Sequence, residues 1–151
     1  LETWTRLTRW PGGGMVFNWL VGWQVPYAGS IGADIVELKY GQAVVGLEDR
    51  RKVRNHLSSV HAVALVNLGE LTANLALMSM QPTSGRWIVT GVEAEYLKKA
   101  CGRLTARCQV APQDWSHNHE EEGQVSIVDS AQNEVTRLRV RWKLGPKRPR
   151  H

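Results

Sequence analysis

The sequence has no apolar run of the roughly 18 residues that a helix needs to span a bilayer, so no spanning helix is expected. The stretch from Met15 to Val25 is apolar but short. It has no clear cleavage site and follows Pro11-Gly12-Gly13-Gly14, so it does not read as a signal peptide. Cysteine is scarce: Cys101 and Cys108 are the only two. Placed on one strand, they stand about 23 Å apart, whereas a disulfide needs Cα atoms within about 7 Å. Two free thiols fit a reducing cytoplasm, which is the expected location. No internal repeat and no low-complexity segment is present. The glycines at 12–14 lack the preceding strand and the following Lys-Ser/Thr of a phosphate-cradling loop, so they read as a hinge.

What is present suits one soluble domain. The chain has 151 residues, 42% hydrophobic and 22% charged, with a net charge of +5. The pI near 9.6 favours anionic partners: nucleic acid, a membrane surface or a phosphorylated ligand. Residues 1–25 hold four of the seven tryptophans and read as a helical segment packing on a domain of residues 26–145. Within it, residues 15–23 form a helix with Phe17, Leu20 and Val21 toward a core. Residues 146–151 read as a basic, disordered, solubilising tail.

Two strands are expected over 31–38 and 43–49, joined by a tight turn at Tyr40-Gly41-Gln42. The basic segment 50–57 reads as a loop. A helix follows from about Val60 to Met80, stopped by Pro82 and capped by Ser58 or Ser59. Strands are then expected over 86–97, 103–110, 124–129 and 135–144. In the last, Leu138, Val140, Trp142 and Leu144 alternate with Arg137, Arg139, Arg141 and Lys143, the period-2 pattern of an antiparallel sheet with one wet face. The long helix is apolar nearly all round and must be buried. An α+β fold, one antiparallel sheet wrapped around one central helix, satisfies both demands.

From Asn55 through Gly85 the only formally charged residue is Glu70. A carboxylate among apolar neighbours is either a functional group, its pKa raised by desolvation toward that of a general base, or one half of a structural pair with an arginine. His61 opens the same helix and is either a ligand contact or a helix-end residue. The first-turn N–H groups there, including that of Ala62, lack helical acceptors and carry the positive end of the dipole, so they suit an oxyanion. Asn55 either orients a water or carbonyl or serves the turn. His61 and Glu70 are nine residues apart, so they face opposite sides of one helix. They can share a site only across a two-fold axis, which predicts a homodimer.

The run Arg54-Asn55-His56-Leu57-Ser58-Ser59-Val60-His61-Ala62-Val63-Ala64, followed by Asn67-Leu68-Gly69-Glu70, resembles the helix entry of PaaI-like acyl-CoA thioesterases of the hotdog superfamily. Their pattern is an Asn, a His-Gly-Gly six residues later, and an Asp or Glu nine residues after that His. Asn55, His61 and Glu70 fall on all three positions. The stretch from Val89 to Ala100 resembles the strand along which that family lays the pantetheine arm. Pro26-Tyr27 through Gly32, together with Arg54-Asn55-His56-Leu57, is most similar to the DUF4442 group. Ala62 and Val63 depart from Gly-Gly, adding side chains where glycine permits close approach of an acyl group.

The resemblance implies a hotdog fold and hydrolysis of an acyl-CoA or acyl-carrier thioester. It implies Glu70 as base or nucleophile, with Asn55, His61 and the Ala62 N–H completing the catalytic set. Val63, Thr90, Lys98, Lys99 and Arg103 are the expected substrate contacts. The three cations meet the coenzyme A phosphates or are merely solvated strand-end charges. No metal and no resident cofactor are expected, and the expected assembly is a homodimer or a tetramer. Three other readings stay open: a hotdog hydratase or dehydratase using His61 for proton transfer, an acyl-CoA-binding module without catalysis, and nucleic-acid binding by the 137–143 basic face. The last lacks interleaved exposed aromatics, so no nucleic-acid partner is expected.

Overall fold

The computed structural model of the chain describes residues 1–147. Most of the expected tail, residues 148–151, lies outside the described residues, and Pro146 itself ends a strand. The elements in chain order are helices α1 (Glu2–Leu7), α2 (Gly13–Gln24) and α3 (Pro26–Gly29), strands β1 (Asp34–Lys39) and β2 (Gln42–Leu47), a 3-10 turn (Arg51–Val53), helix α4 (Ala62–Met78), and strands β3 (Gly85–Tyr96), β4 (Leu104–Gln109), β5 (His119–Val128) and β6 (Glu134–Pro146). The six strands form one antiparallel sheet in the order β1-β2-β4-β5-β6-β3.

The alternation in β6 does what the pattern predicts. Leu138, Val140, Trp142 and Leu144 are buried, and the intervening cations are exposed. Three of the four cations are paired. Arg141 pairs with Glu93 at 2.9 Å, Arg139 with Glu122 at 3.7 Å and Arg137 with Glu134 at 2.5 Å, so this face is a mixed-charge surface.

α4 lies along the inner face of the sheet, touching all six strands. Its approach is close enough that a Cβ on Gly69 would sit 2.6 Å from the Leu138 methyls, which accounts for a glycine in mid-helix. At the far end Ser79 Oγ donates to Ala76 O and accepts from Gly41 N–H, both at 2.7 Å, tying the β1–β2 turn to the helix terminus. Gly41 has φ +72, and a Cβ there would lie 2.6 Å from Val110 O.

Four expectations change. α4 starts at Ala62 with His61, not Ser58 or Ser59, as its cap. The backbone before it is held extended by strand-like pairing: Val60 N–H donates to Ala100 O at 2.9 Å and His61 N–H to Val53 O at 2.8 Å. Cys101 sits in the β3–β4 loop rather than on a strand, because β4 begins only at Leu104; both thiols are free. Leu20 is exposed at the rim of a cavity rather than packed on the core. The core side of α2 carries Phe17 and Val21, with Phe17 edge-on to Trp4, their ring centres 5.1 Å apart. β5 also begins five residues before Gln124, where the Glu-rich run 120–122 pairs with β6 despite its poor strand propensity.

Candidate active site

α4 turns Asn67, Glu70, Leu71, Asn74, Leu75 and Met78 to one side, the spacing that keeps residues on a single helix face. That side faces the N-terminal helices across a cavity of about 630 Å³. Phe17 and Val21 of α2, Tyr27 and Ala28 of α3 and Trp87 of β3 complete most of its apolar wall. Glu70 is the only charged side chain lining it among the described residues.

Glu70 is half-buried rather than sealed in the core. Its position is supported by a two-step contact. The Trp142 indole N–H donates to Asn74 Oδ1 at 2.9 Å, and Asn74 Nδ2 approaches Glu70 Oε1 at 3.5 Å. An indole N–H can only donate, so the amide oxygen of Asn74 must face Trp142 and its NH2 must face the carboxylate. Trp142 is fully buried, which fixes the far end of this chain of contacts. Glu70 forms no ion pair among the described residues. The alternative of a structural arginine partner therefore has no arginine among the described residues of one chain.

The other half of the expected site is at the start of α4. His61 Nδ1 accepts the Val63 N–H at 3.1 Å, while the Ala62 N–H donates to no described residue. Tyr96 Oη donates to Ala62 O at 3.4 Å. His61 and the Val63 side chain are exposed. Asn55 is occupied with its own turn: its Oδ1 accepts from Leu57 N–H at 2.9 Å, Ser59 N–H at 3.3 Å and Ser59 Oγ at 3.2 Å. None of Asn55, His61, Ala62 or Val63 lines the Glu70 cavity. The fold thus holds the two groups on opposite sides of α4, as the nine-residue spacing requires.

Thr90 is exposed at a bulge in β3, between Val89 and Gly91. Lys98 pairs with Asp129 at 3.2 Å, and Arg103 pairs with Glu48. Lys99 is exposed and makes no ion pair among the described residues. Asn74, Trp87 and the roof formed by α2 and α3 are features of the site that sequence reasoning missed. A signal existed for Asn74: it is one turn beyond Glu70 and, like Asn67, is a polar residue in an otherwise apolar helix.

An open six-stranded antiparallel sheet with one long helix packed against it, in this strand order, is the hotdog fold. The chain belongs to the DUF4442 family, a domain of unknown function, which matches residues 13–144. No curated protein matches its sequence. Among solved structures, a structural-genomics protein is 29% identical over 97% of both chains with a TM-score of 0.84. A probable thioesterase from Pseudomonas aeruginosa is 15% identical, covering 85% of this chain and 92% of its own, with a TM-score of 0.78. A thioesterase from Staphylococcus aureus is 19% identical, covering 80% and 99%, with a TM-score of 0.71. No helix among the described residues is long and apolar enough to cross a membrane.

Proposed function

We propose that this protein hydrolyses acyl thioesters, acyl-CoA first among them, with Glu70 as base or nucleophile. The observation that carries the reading is a lone carboxylate on the wall of an apolar cavity, held by Asn74 and free of any cation partner among the described residues. The cavity takes the acyl group; Glu70 either takes a proton from the water that attacks the thioester carbonyl, or attacks it to form an anhydride that water then hydrolyses, and in both routes the C–S bond breaks and the sulfur leaves as a free thiol carrying a proton from water. The unpaired Ala62 N–H at the positive end of α4 receives the oxyanion. Two variants of the Staphylococcus aureus thioesterase alter a glutamine and a glutamate separated by the same interval as Asn55 and Glu70, which supports the pairing of these positions.

Asn55 acts through the loop, since its side-chain oxygen already holds the turn that leads into α4. The Val63 side chain lies outside the Glu70 cavity of its own chain, so the departure from Gly-Gly leaves the acyl space of that chain intact. The hydratase alternative is weakened at His61, where Nδ1 is engaged in capping and only Nε2 is left for proton transfer. Lys99 is the cation with least competition for a coenzyme A phosphate; Lys98 and Arg103 must first leave their carboxylates.

The site is completed by a second copy. β3 is an edge strand of 12 residues with Ile88 and Tyr96 exposed, an uncovered pairing surface beside the start of α4. In the dimer, Glu70 of one subunit serves Ala62 of the other.

The test is thiol release over a panel of acyl-CoAs by the parent, Glu70→Gln, Ala62→Pro and a refolded mixture of the two variants. Proline suits the first helical position and follows an extended His61, so Ala62→Pro deletes only the N–H donor. Glu70→Gln should lower kcat by at least about 10²-fold. The mixture should recover about a quarter of parental turnover, because half of randomly formed dimers carry one intact composite site. No turnover by the parent overturns the hydrolase reading. A mixture as inactive as its components overturns the shared site.

A further inference from the structure

Between Arg9 and Asp34 the chain carries no charged residue, and α2 lies at the centre of that stretch. The helix has two apolar faces. One, with Phe17 and Val21, roofs the cavity. The other consists of Met15, Val16, Trp19, Leu20 and Trp23, apolar at every position and all exposed. Met15 is 75%, Trp19 67% and Trp23 74% exposed, and Trp10, just before the helix, is 74% exposed. This surface is held outward by the fold. Asn18 Oδ1 accepts the Ile35 N–H at 2.9 Å, and Gly22 meets Gly29 so closely that a Cβ on Gly29 would lie 2.7 Å from Gly22 Cα. Exposed apolar surface so concentrated on one element marks a contact with something apolar.

We propose that α2 docks this protein on a bilayer containing anionic phospholipid, lying in the interface with its tryptophan face in the lipid. Three observations favour lipid over a protein partner. The face carries the indoles of Trp19 and Trp23, with Trp10 just before the helix, and an indole's apolar body and single N–H donor suit the headgroup boundary. Arg6 and Arg9, exposed and without ion-pair partners among the described residues, precede it in the chain and match anionic headgroups, as does the net charge of +5. Leu20, Trp23, Val25 and Tyr27 are both exposed and part of the cavity wall, so the cavity opens where the face would meet lipid. An acyl chain dissolved in the bilayer then reaches Glu70 without crossing water. This use of the surface rests on the hydrolase reading; the docking itself does not.

The experiment is vesicle flotation of the full chain, without substrate, on phosphatidylcholine vesicles with and without phosphatidylglycerol. The proteins compared are the parent, Met15→Glu/Trp19→Glu and Arg6→Glu/Arg9→Glu. Met15 and Trp19 do not line the cavity. The parent should float with the anionic vesicles, its tryptophan emission shifted to the blue. Met15→Glu/Trp19→Glu should bind at least about tenfold less, with an unchanged thermal midpoint. The arginine variant should lose the preference for anionic vesicles, and salt should weaken the parent likewise. A parent that stays with the unbound fraction at low salt overturns the proposal. So does light scattering that shows Met15→Glu/Trp19→Glu dissociating a parental oligomer, because that places a second copy on the face.

Discussion

α4 and α2 are both apolar nearly all round, yet the fold treats them oppositely. α4 lies against six strands and buries eleven of its seventeen residues. α2 rests on α1, α3 and the start of β1 but on no broad sheet face, and it leaves five large apolar side chains in solvent. Hydrophobicity of a segment therefore states what it would gain by burial and not whether the fold offers a surface. Glu70 lies where the two helices face each other, on the one side of α4 that the sheet does not cover.

The strongest way to break this comparison is to truncate one side chain in each helix. Leu68 is fully buried, so Leu68→Ala should cost about 2–5 kcal/mol. Trp19→Ala should change stability by no more than about 0.5 kcal/mol, despite removing a larger apolar group. Urea unfolding of both variants checks this, and similar losses would mean that the Trp19 face is buried in solution.

A smaller effect sharpens the role of the junction. Asn74→Ala strands the buried Trp142 N–H and should cost about 1–3 kcal/mol, with a lower kcat because Glu70 loses its partner. Adding Trp142→Phe opens a cavity of its own but removes the stranded donor, so the two stability losses should be less than additive, with none of the turnover regained. Thermal midpoint and kcat measured on the same proteins separate positioning from support. Turnover regained in the double variant would make Asn74 purely structural.

The smallest effect compares a loop with the core. Burial pushes the Cys108 thiol up to about 12, whereas Cys101 is exposed. Maleimide at pH 8 should label one thiol of the native protein quickly and the second only on unfolding. The sign for stability follows from the raised value: the contribution is whole below the unfolded thiol pKa of about 8.5 and is lost as pH climbs toward 12. Rapid labelling of both thiols would place β4 at the surface.

Much of the fold was legible in local pattern. Residues 135–144 announce a half-buried strand by alternation, and the apolar run to Met78 announces a buried helix, because both periods follow from backbone geometry alone. The helix start was misplaced by two residues because Val60 and His61 are held extended by Ala100 and Val53, distant in sequence. Of the site, the family spacing picked out Glu70, His61 and Asn55. It did not show that Asn55 would spend its oxygen on a turn, or that Lys98 and Arg103 would find carboxylates.

The sequence by itself determined the α+β class, the long buried helix, the faces of β4 and β6, and the half-turn that separates His61 from Glu70, since these depend on residues near one another along the chain. Only the tertiary structure decided that Asn74 would stand between Trp142 and Glu70, that α2 would roof a cavity, and that Trp19 and Trp23 would remain outside. Those outcomes depend on which surfaces meet across the fold. Sequence period carries no term for that distance, and packing resolves it only when every element is in place.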